Sequence, residues 1–467
     1  MGQRRCGYLP VARWSRDVMR NIHDTTNFRA LDPSLVRDLL EDLDRDKPPA
    51  KNWQALQHRS FAWLLGAALL SNIGTWMQNT AQAWFIYETT RSPLYLGLDT
   101  FLMLSPLFLL AFPSGTIVDR FDRRRVFLAA SLAQIACTAC AAMLFLTGRQ
   151  TVWALLSLSF VAGIGQAFAN VAYVALIPRL VPTRALPQAT ALNSLQLSLA
   201  RMVGPLAAGG ILLWLGPAAC YAANSLSFMV LLVMALRVKE RPPEAPTMDA
   251  FAKITRPLQP LRELSLWQAL AQEVRQLRHY LKRRPGLIEV YALCFVVTFF
   301  GGCVPVLLPS HVRGVWNGAA WLYTVLLGLY GLGTVLGSLY IAQRPKPIGG
   351  GRRALYLTGV TSASLLAFAL MPSPLMGAMA IIAIGGALIA LLSQLTALVQ
   401  FGLVDEVRGR VMSLFLVTFQ SGYALGGLAV GAIATRMSTA TTILACGVAL
   451  AVVAVGGRWL DSRLSES

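Results

Sequence analysis

Twelve times along its 467 residues this chain runs through a mainly apolar stretch of about 20 residues, the length of helix that crosses about 30 Å of hydrocarbon. The stretches fall near 61–86, 94–113, 126–147, 152–177, 186–214, 217–236, 287–308, 318–342, 354–371, 374–399, 411–435 and 439–456. Nothing constrains the fold more. Within a bilayer every backbone N–H and C=O must find its partner inside the structure, so only helices and closed barrels cross it. These stretches are continuously apolar and do not alternate every second residue as barrel strands do. Helices are therefore predicted, the fifth and eleventh being Gly-rich and more polar. Charged residues make up 13% of the chain, against about 25% in a soluble domain. The expected class is an all-α membrane protein with twelve transmembrane helices.

A net charge of +19 raises the question of nucleic acid, and the position of the charges answers it. With a cytoplasmic N-terminus, the inner connections hold Arg120, Arg123, Arg124 and Arg125, then Arg179 and Arg184, then a long basic segment from Arg237 to Arg284. Further along they hold Arg344, Lys346, Arg352 and Arg353, and finally Arg408 and Arg410. The opposite connections hold only Arg91, Arg149, Arg313 and Arg436. That asymmetry follows the positive-inside rule. It predicts that both termini are cytoplasmic and that the basic surface meets anionic lipid, with no nucleic-acid partner. Of seven cysteines, six lie in or at the edge of apolar stretches. Cys137 and Cys140 share one face of a membrane helix with no histidine nearby, which marks small packing residues rather than redox or zinc chemistry.

Four regions are expected: an extension at 1–57, a six-helix half at 58–236, a linker at 237–285 and a second half at 286–467. In the extension, Trp14, Val18 and Ile22 recur at helical spacing with Arg13, Arg16 and Arg20 on other faces, as in a helix lying on a membrane surface or packing on itself. A second short helix is expected between Asp32 and Pro48. The linker opens on "RPPEAP" and continues with Leu266, Leu270, Val274, Leu277 and Leu281 at helical spacing. A shift of 222 residues carries Gly115 onto Gly337, Gly204 onto Gly426 and Gly209 onto Gly431. That register points to two six-helix halves related by pseudo-symmetry.

The loop "GTIVDRFDRRR" between the second and third stretches is the densest cluster of charge in the membrane region. Gly115 allows close helix approach, Asp119 can face the positive N-terminus of another helix, and the arginines hold the loop in the cytoplasm. On Gly115, Asp119, Arg120, Arg123 and Arg124 it resembles the signature loop G-x-x-x-D-R-x-G-R-R of the major facilitator superfamily, with Asp122 where the pattern has Gly. "RSPLYLGL" at 91–98 and "VRGRVMSL" at 407–414 resemble the bacterial exporter branch that includes enterobactin and macrolide efflux proteins. "RMVGPLAAGG" at 201–210 is similar to that superfamily's antiporter motif, with three residues rather than two between Gly-Pro and Gly-Gly. The resemblance covers roughly residues 58–457. It implies alternating access between two halves in a bacterial inner membrane, with Gly115, Asp119, Arg120, Arg123 and Arg124 forming a gating loop.

Polar residues in a membrane helix face a cavity or a partner. Asn72, Thr75, Asn79 and Gln82 form one stripe on the first helix, and Gln166, Asn170 and Tyr173 a second on the fourth. Tyr291 and Thr298 lie on the seventh helix, and Ser393, Gln394 and Gln400 on the tenth. The resemblance places helices 1, 4, 7 and 10 around a central cavity, which makes these twelve residues substrate-cavity candidates. The alternative is that they hydrogen-bond helix to helix. A neutral, amphipathic lining with Trp76 and Trp84 nearby suits a partly apolar substrate better than a small ion. Asp99 is either a protonatable coupling group or a solvated residue near the outer mouth. Arg201 either contacts an anionic substrate or braces the fifth helix, and Glu289 is the next coupling candidate. No G-x-x-x-x-G-K-[ST] phosphate loop, histidine cluster or G-x-S-x-G elbow is present, so no cofactor, metal or enzymatic activity is expected. The reading is a monomeric proton-coupled secondary transporter exporting an amphipathic small molecule such as a drug or siderophore. An importer of the same fold, or a transport-inactive scaffold or sensor, is the alternative.

Overall fold

The computed structural model describes residues 54–111, 113–115, 122–237, 284–343, 350–401 and 405–457. The expected helices of the extension and of the linker, together with Asp119 and Arg120, lie outside the described residues, as do the side chains of Arg408 and Arg410. After a short turn at Gln54–Gln57, the first six helices are α1 (Arg59–Thr90), α2 (Pro93–Leu109), α3 (Arg123–Leu146), α4 (Val152–Leu176), α5 (Leu186–Trp214) and α6 (Gly216–Arg237). A broken α7 (Pro285–Gly301, then Cys303–Gly314) follows, and then α8 (Ala320–Ala342), α9 (Gly350–Leu370), α10 (Pro374–Gln400), α11 (Asp405–Arg436) and α12 (Thr439–Gly456). Ten of these, α3 to α12, are long and apolar enough to cross a membrane, and α2 is a shorter apolar helix. The remaining helix, α1, is 32 residues long and carries the polar stripe.

Local chemistry sets the helix ends. Asp122, the departure from the loop motif, is the N-cap of α3: its carboxylate accepts from the backbone N–H of Arg124 at 2.8 Å and of Arg125 at 3.2 Å. An acidic cap satisfies otherwise orphaned donors and complements the positive helix end. Thr151 caps α4 and Ser438 caps α12 in the same way. Gly216, at φ 76°, turns the chain sharply between α5 and α6, a conformation that costs glycine little. Within α7, Pro305 has no N–H to offer the carbonyl four residues back, and the helix breaks at Gly302.

The pairing of helices repeats. In the first half α1 packs on α5 and α6, α2 on α4, and α3 on α4 and α6. In the second, α7 packs on α11 and α12, α8 on α10, and α9 on α10 and α12. Adding six to each number converts the first scheme into the second. The halves join chiefly through α2 with α11 and α5 with α8, a pair that the same operation interchanges. Two of the three glycine coincidences obey it. A Cβ on Gly204 would collide with Trp76 of α1, and one on Gly426 with Phe299 of α7. A Cβ on Gly209 would collide with Thr324 of α8, and one on Gly431 would press on Pro93 and Gly97 of α2. The third coincidence fails. Gly337 lies tight against Gly386 of α10, whereas a Cβ on Gly115 meets nothing within 4 Å among the described residues.

One end of the bundle carries the brief turns at 91–92, 147–151, 315–319 and 437–438; the other carries Gly115, Arg123 and Arg237. These are called the short-loop end and the basic end below. Toward the basic end an apolar cluster around Phe61, Leu64, Phe127, Leu180 and Leu231 is built, among the described residues, from the first half alone. The second half has its own larger cluster, from Leu287 to Leu450, against which Ala83 and Trp84 of α1 also pack.

Candidate functional site

Four helices of the first half converge on one carboxylate. Asp99 of α2 accepts through a single oxygen, Oδ1, from Gln82 Nε2 at 2.6 Å and from Ser159 Oγ at 2.8 Å. Gln82 also donates to Ser159 Oγ at 2.6 Å, and its own Oε1 accepts from the Tyr221 hydroxyl at 2.6 Å. Gln82, Ser159 and Tyr221 are buried. A carboxylate at this depth is costly unless it is partnered, and here every partner is neutral. Asp99, itself half-buried, is thus a bonded member of a helix-spanning network.

The network continues on α1, α3, α4 and α6. Asn224 Nδ2 donates to Gln78 Oε1 at 2.7 Å, Gln134 Nε2 to Gln166 Oε1 at 2.6 Å, and Gln166 Nε2 to Asn170 Oδ1 at 2.7 Å. Between these groups lies a small cavity of about 30 Å³ whose lining includes Thr75, Asn79, Gln82, Gln134, Ser159 and Gln166. A water needs roughly 10–15 Å³ of such space and two or more polar partners, so the cavity can hold water.

The second feature is the seam between the halves. Gly97 of α2 lies against the Gly427 carbonyl of α11, and Gly331 of α8 against the backbone of Arg201 and Met202 of α5. Removing side chains at these points lets backbones meet. Nearer the short-loop end, Trp84 of α1 stacks on Tyr323 of α8 with centroids 5.7 Å apart, and Arg313 Nε reaches Glu88 Oε1 at 3.0 Å. Arg201 extends its guanidinium over Trp76, 5.3 Å from the ring centroid, a cation–π arrangement. It makes no ion pair with Asp99, and its buried Nε has no hydrogen-bond partner among the described residues. The Tyr330 and Tyr423 hydroxyls lie within its electrostatic reach.

The polar residues singled out in the sequence divide among three surroundings. Thr75, Asn79, Gln82 and Gln166 line the first-half cavity. Asn72 donates to Gln196 of α5 at 3.3 Å, Asn170 is exposed, and Tyr173 packs near Phe127 of α3. In the second half, Tyr291 is buried with its hydroxyl donating to the Val411 carbonyl at 2.8 Å, and Thr298 is buried on its own helix carbonyl. Gln394 is buried and accepts from Arg353 at 3.3 Å, whereas Ser393 is half-buried and Gln400 exposed. Glu289 is half-buried with one carboxylate oxygen, Oε2, unpartnered. In the loop, Arg124 donates to the Leu236 carbonyl at the end of α6. Sequence reasoning missed Ser159, Tyr221, Gln78, Asn224 and Gln134. For Ser159 a signal existed, because it lies seven residues before Gln166 and so on the same face of α4.

Comparison with known proteins agrees with this architecture. A family model for transmembrane secretion effectors of the major facilitator superfamily matches residues 50–466. The enterobactin exporter EntS of Citrobacter koseri is 25% identical over 404 residues, covering 85% of this chain and 90% of its own. The staphyloferrin A transporter of Staphylococcus aureus is 22% identical over 288 residues, 62% of this chain and 68% of its own. Among solved structures, a bacterial homologue of the human lysosomal transporter Spinster, inward-facing and unoccupied, aligns with TM-score 0.66 at 16% identity. That alignment spans 87% of this chain and 98% of the homologue. A POT family transporter in complex with 5-aminolevulinic acid aligns at 0.65 and 12%, covering 87% and 97%. The chain belongs to the transmembrane secretion effector family of the major facilitator superfamily and is a multi-pass membrane transporter.

Proposed function

We propose that this transporter is a proton-coupled exporter of an amphipathic, siderophore-like small molecule, working by alternating access with its basic end in the cytoplasm. The observation that carries the reading is the seam. Glycine-backed contacts join the halves through α2–α11 and α5–α8, and further contacts gather toward the short-loop end. Among the described residues the first half closes its own apolar cluster at the basic end without the second. Such a molecule rocks about its seam, and this conformation is the one loaded from the cytoplasm. Asp99, held only by neutral donors, is the coupling group. Arg201, over Trp76 with an unpartnered nitrogen, receives an anionic part of the substrate. The loop from Gly115 through Arg124, including Asp119, Arg120 and Arg123, steadies the opposite closed state. Export as the direction is supported by the relatives that carry enterobactin outward.

Everted vesicles holding the full chain test this directly. With a pH gradient they should accumulate enterobactin or a related siderophore and lose the accumulation when the gradient is collapsed. Cysteines at Asn317 and Arg352 of a Cys-free variant report the orientation in intact cells, where an impermeant reagent should label only Asn317. Uptake by right-side-out vesicles instead assigns import. No flux of any siderophore or macrolide with intact folding leaves a scaffold or sensor.

A further inference from the structure

We infer that the interior of the first half is a proton conduit linking Asp99 to the basic end of the bundle, separate from the seam between the halves. The inference rests on the reading of Asp99 as the coupling group.

The route is continuous in polar groups. At its inner end Gln82 and Ser159 both bond to Asp99 and both line the cavity. Gln166 lies on the far wall, holds Gln134 at 2.6 Å and Asn170 at 2.7 Å, and Asn170 is exposed. Ser159, Gln166 and Asn170 stand at i, i+7 and i+11 of α4, one face of a helix, and span about 16 Å along it. Asn170 lies in the last third of α4, toward the basic end. Water has room in the cavity between, and it can both accept and pass on a proton. The Ser159 hydroxyl can likewise turn from donor to acceptor, while the amides orient the water.

The balance of the step is simple. In the conformation described, the O–H bond of a protonated Asp99 breaks as its proton passes to Ser159 Oγ, the Ser159 hydroxyl gives up its own proton to a cavity water, and a proton leaves from the water beside Asn170. The carboxylate that remains accepts from Gln82 and Ser159, which is the pattern present here. The groups facing Asp99 oppose none of this. Among the described residues the titratable ones in electrostatic reach are the Tyr221 hydroxyl from α6 and the Tyr323 hydroxyl from α8. Across the seam, α11 presents Gly427 to α2, and the second segment of α7 presents Val306. The wall shared by conduit and seam is α1: Thr75 and Asn79 line the cavity, while Trp76 faces Arg201. One helix therefore feels both passages.

Infrared spectroscopy of the reconstituted full chain after a pH jump tests the route without any substrate, using the carboxyl band that Asp99→Asn removes. Gln166→Leu should slow the appearance and loss of that band at least about tenfold, leaving its midpoint in place, and Gln166→Asn should restore the rate. If Gln166→Leu does not fold, Asn170→Leu at the exposed end carries the same expectation. A parent-like rate in the Leu variant overturns the conduit. So does an equal slowing in Gln166→Asn, since the effect would then be one of packing. A fast-titrating Asp99 in a chain that moves no substrate overturns the transport reading and leaves the conduit standing.

Discussion

The register that relates the two halves carries Gln82 onto Val304, Ser159 onto Ile381 and Tyr221 onto Ile443, each 222 residues on. Gly209 meets Thr324 where its counterpart Gly431 meets Gly97, so Asp99, two residues after Gly97, corresponds to Leu326. The four residues joined around Asp99 thus map onto Val304, Leu326, Ile381 and Ile443, all at most 1% exposed and all in one apolar cluster. Polar groups in the second half mostly stay on their own helix, as Thr298, Thr358 and Thr361 do by donating to the carbonyl four residues back. The pairing scheme and the glycine seam are shared, but the chemistry of the interior is not. Buried polar networks are costly in hydrocarbon, and the second half shows that this fold does not need one. Under the proposed coupling role of Asp99, the first half keeps one for a task beyond holding helices together.

The largest effect is expected at the centre of that difference. Asp99→Asn should reduce proton-driven flux to the leak of protein-free vesicles while substrate binding persists. Parent-like flux in this variant would erase the functional distinction between the halves. Next comes the shared feature. A side chain at Gly97 collides with the Gly427 carbonyl, and one at Gly331 with the backbone of Met202. Gly97→Val and Gly331→Val should therefore each lengthen spin-label distances across the short-loop end and lower flux. Opposite responses from the two would break the symmetry of the seam.

Smaller effects test the interiors themselves. Tyr221→Phe leaves Gln82 Oε1 without its donor and should cost about 1 kcal/mol of stability, the usual scale for such bonds in membrane helices. His311 provides the contrast in the second half. It is fully buried between Trp316 and Phe368, and neither ring nitrogen has a hydrogen-bond partner among the described residues. His311→Leu removes two unsatisfied groups, so melting of the purified protein should be unchanged or slightly raised, by about 1 kcal/mol at most. A marked loss of stability there would mean that the second half also depends on buried polarity.

Much of the fold was legible because it is written locally. The twelve apolar stretches became the helices with boundaries shifted by a few residues, the fifth and eleventh included. Asp122, a departure from the loop motif, has a local reason too, since it caps α3 two residues before Arg124. The site was legible only in part. The stripe from Asn72 to Gln82 is real, yet a stripe says that a helix has a polar face and not which space that face enters. Thr75, Asn79 and Gln82 turned toward the interior of their own half, and Thr298 and Gln394 into the packing of theirs. Tyr221 stands three residues before Asn224, and Gln134 lies between Ser131 and Thr138, so helical polar spacing was present there as well, in shorter runs among apolar residues.

The sequence by itself determined the solvent, the number of crossings and the family. Each depends on run length, charge between runs and short motifs, all of which act over one helix or one loop. Only the tertiary structure decided that Asp99 meets Gln82 and Ser159 and not Arg201. That choice depends on the rotation of each helix about its own axis. Rotation is set by where glycines let backbones touch, and Gly97 and Gly427, which fix α2 against α11, are 330 residues apart. No local pattern carries an angle whose cause lies at such a distance along the chain.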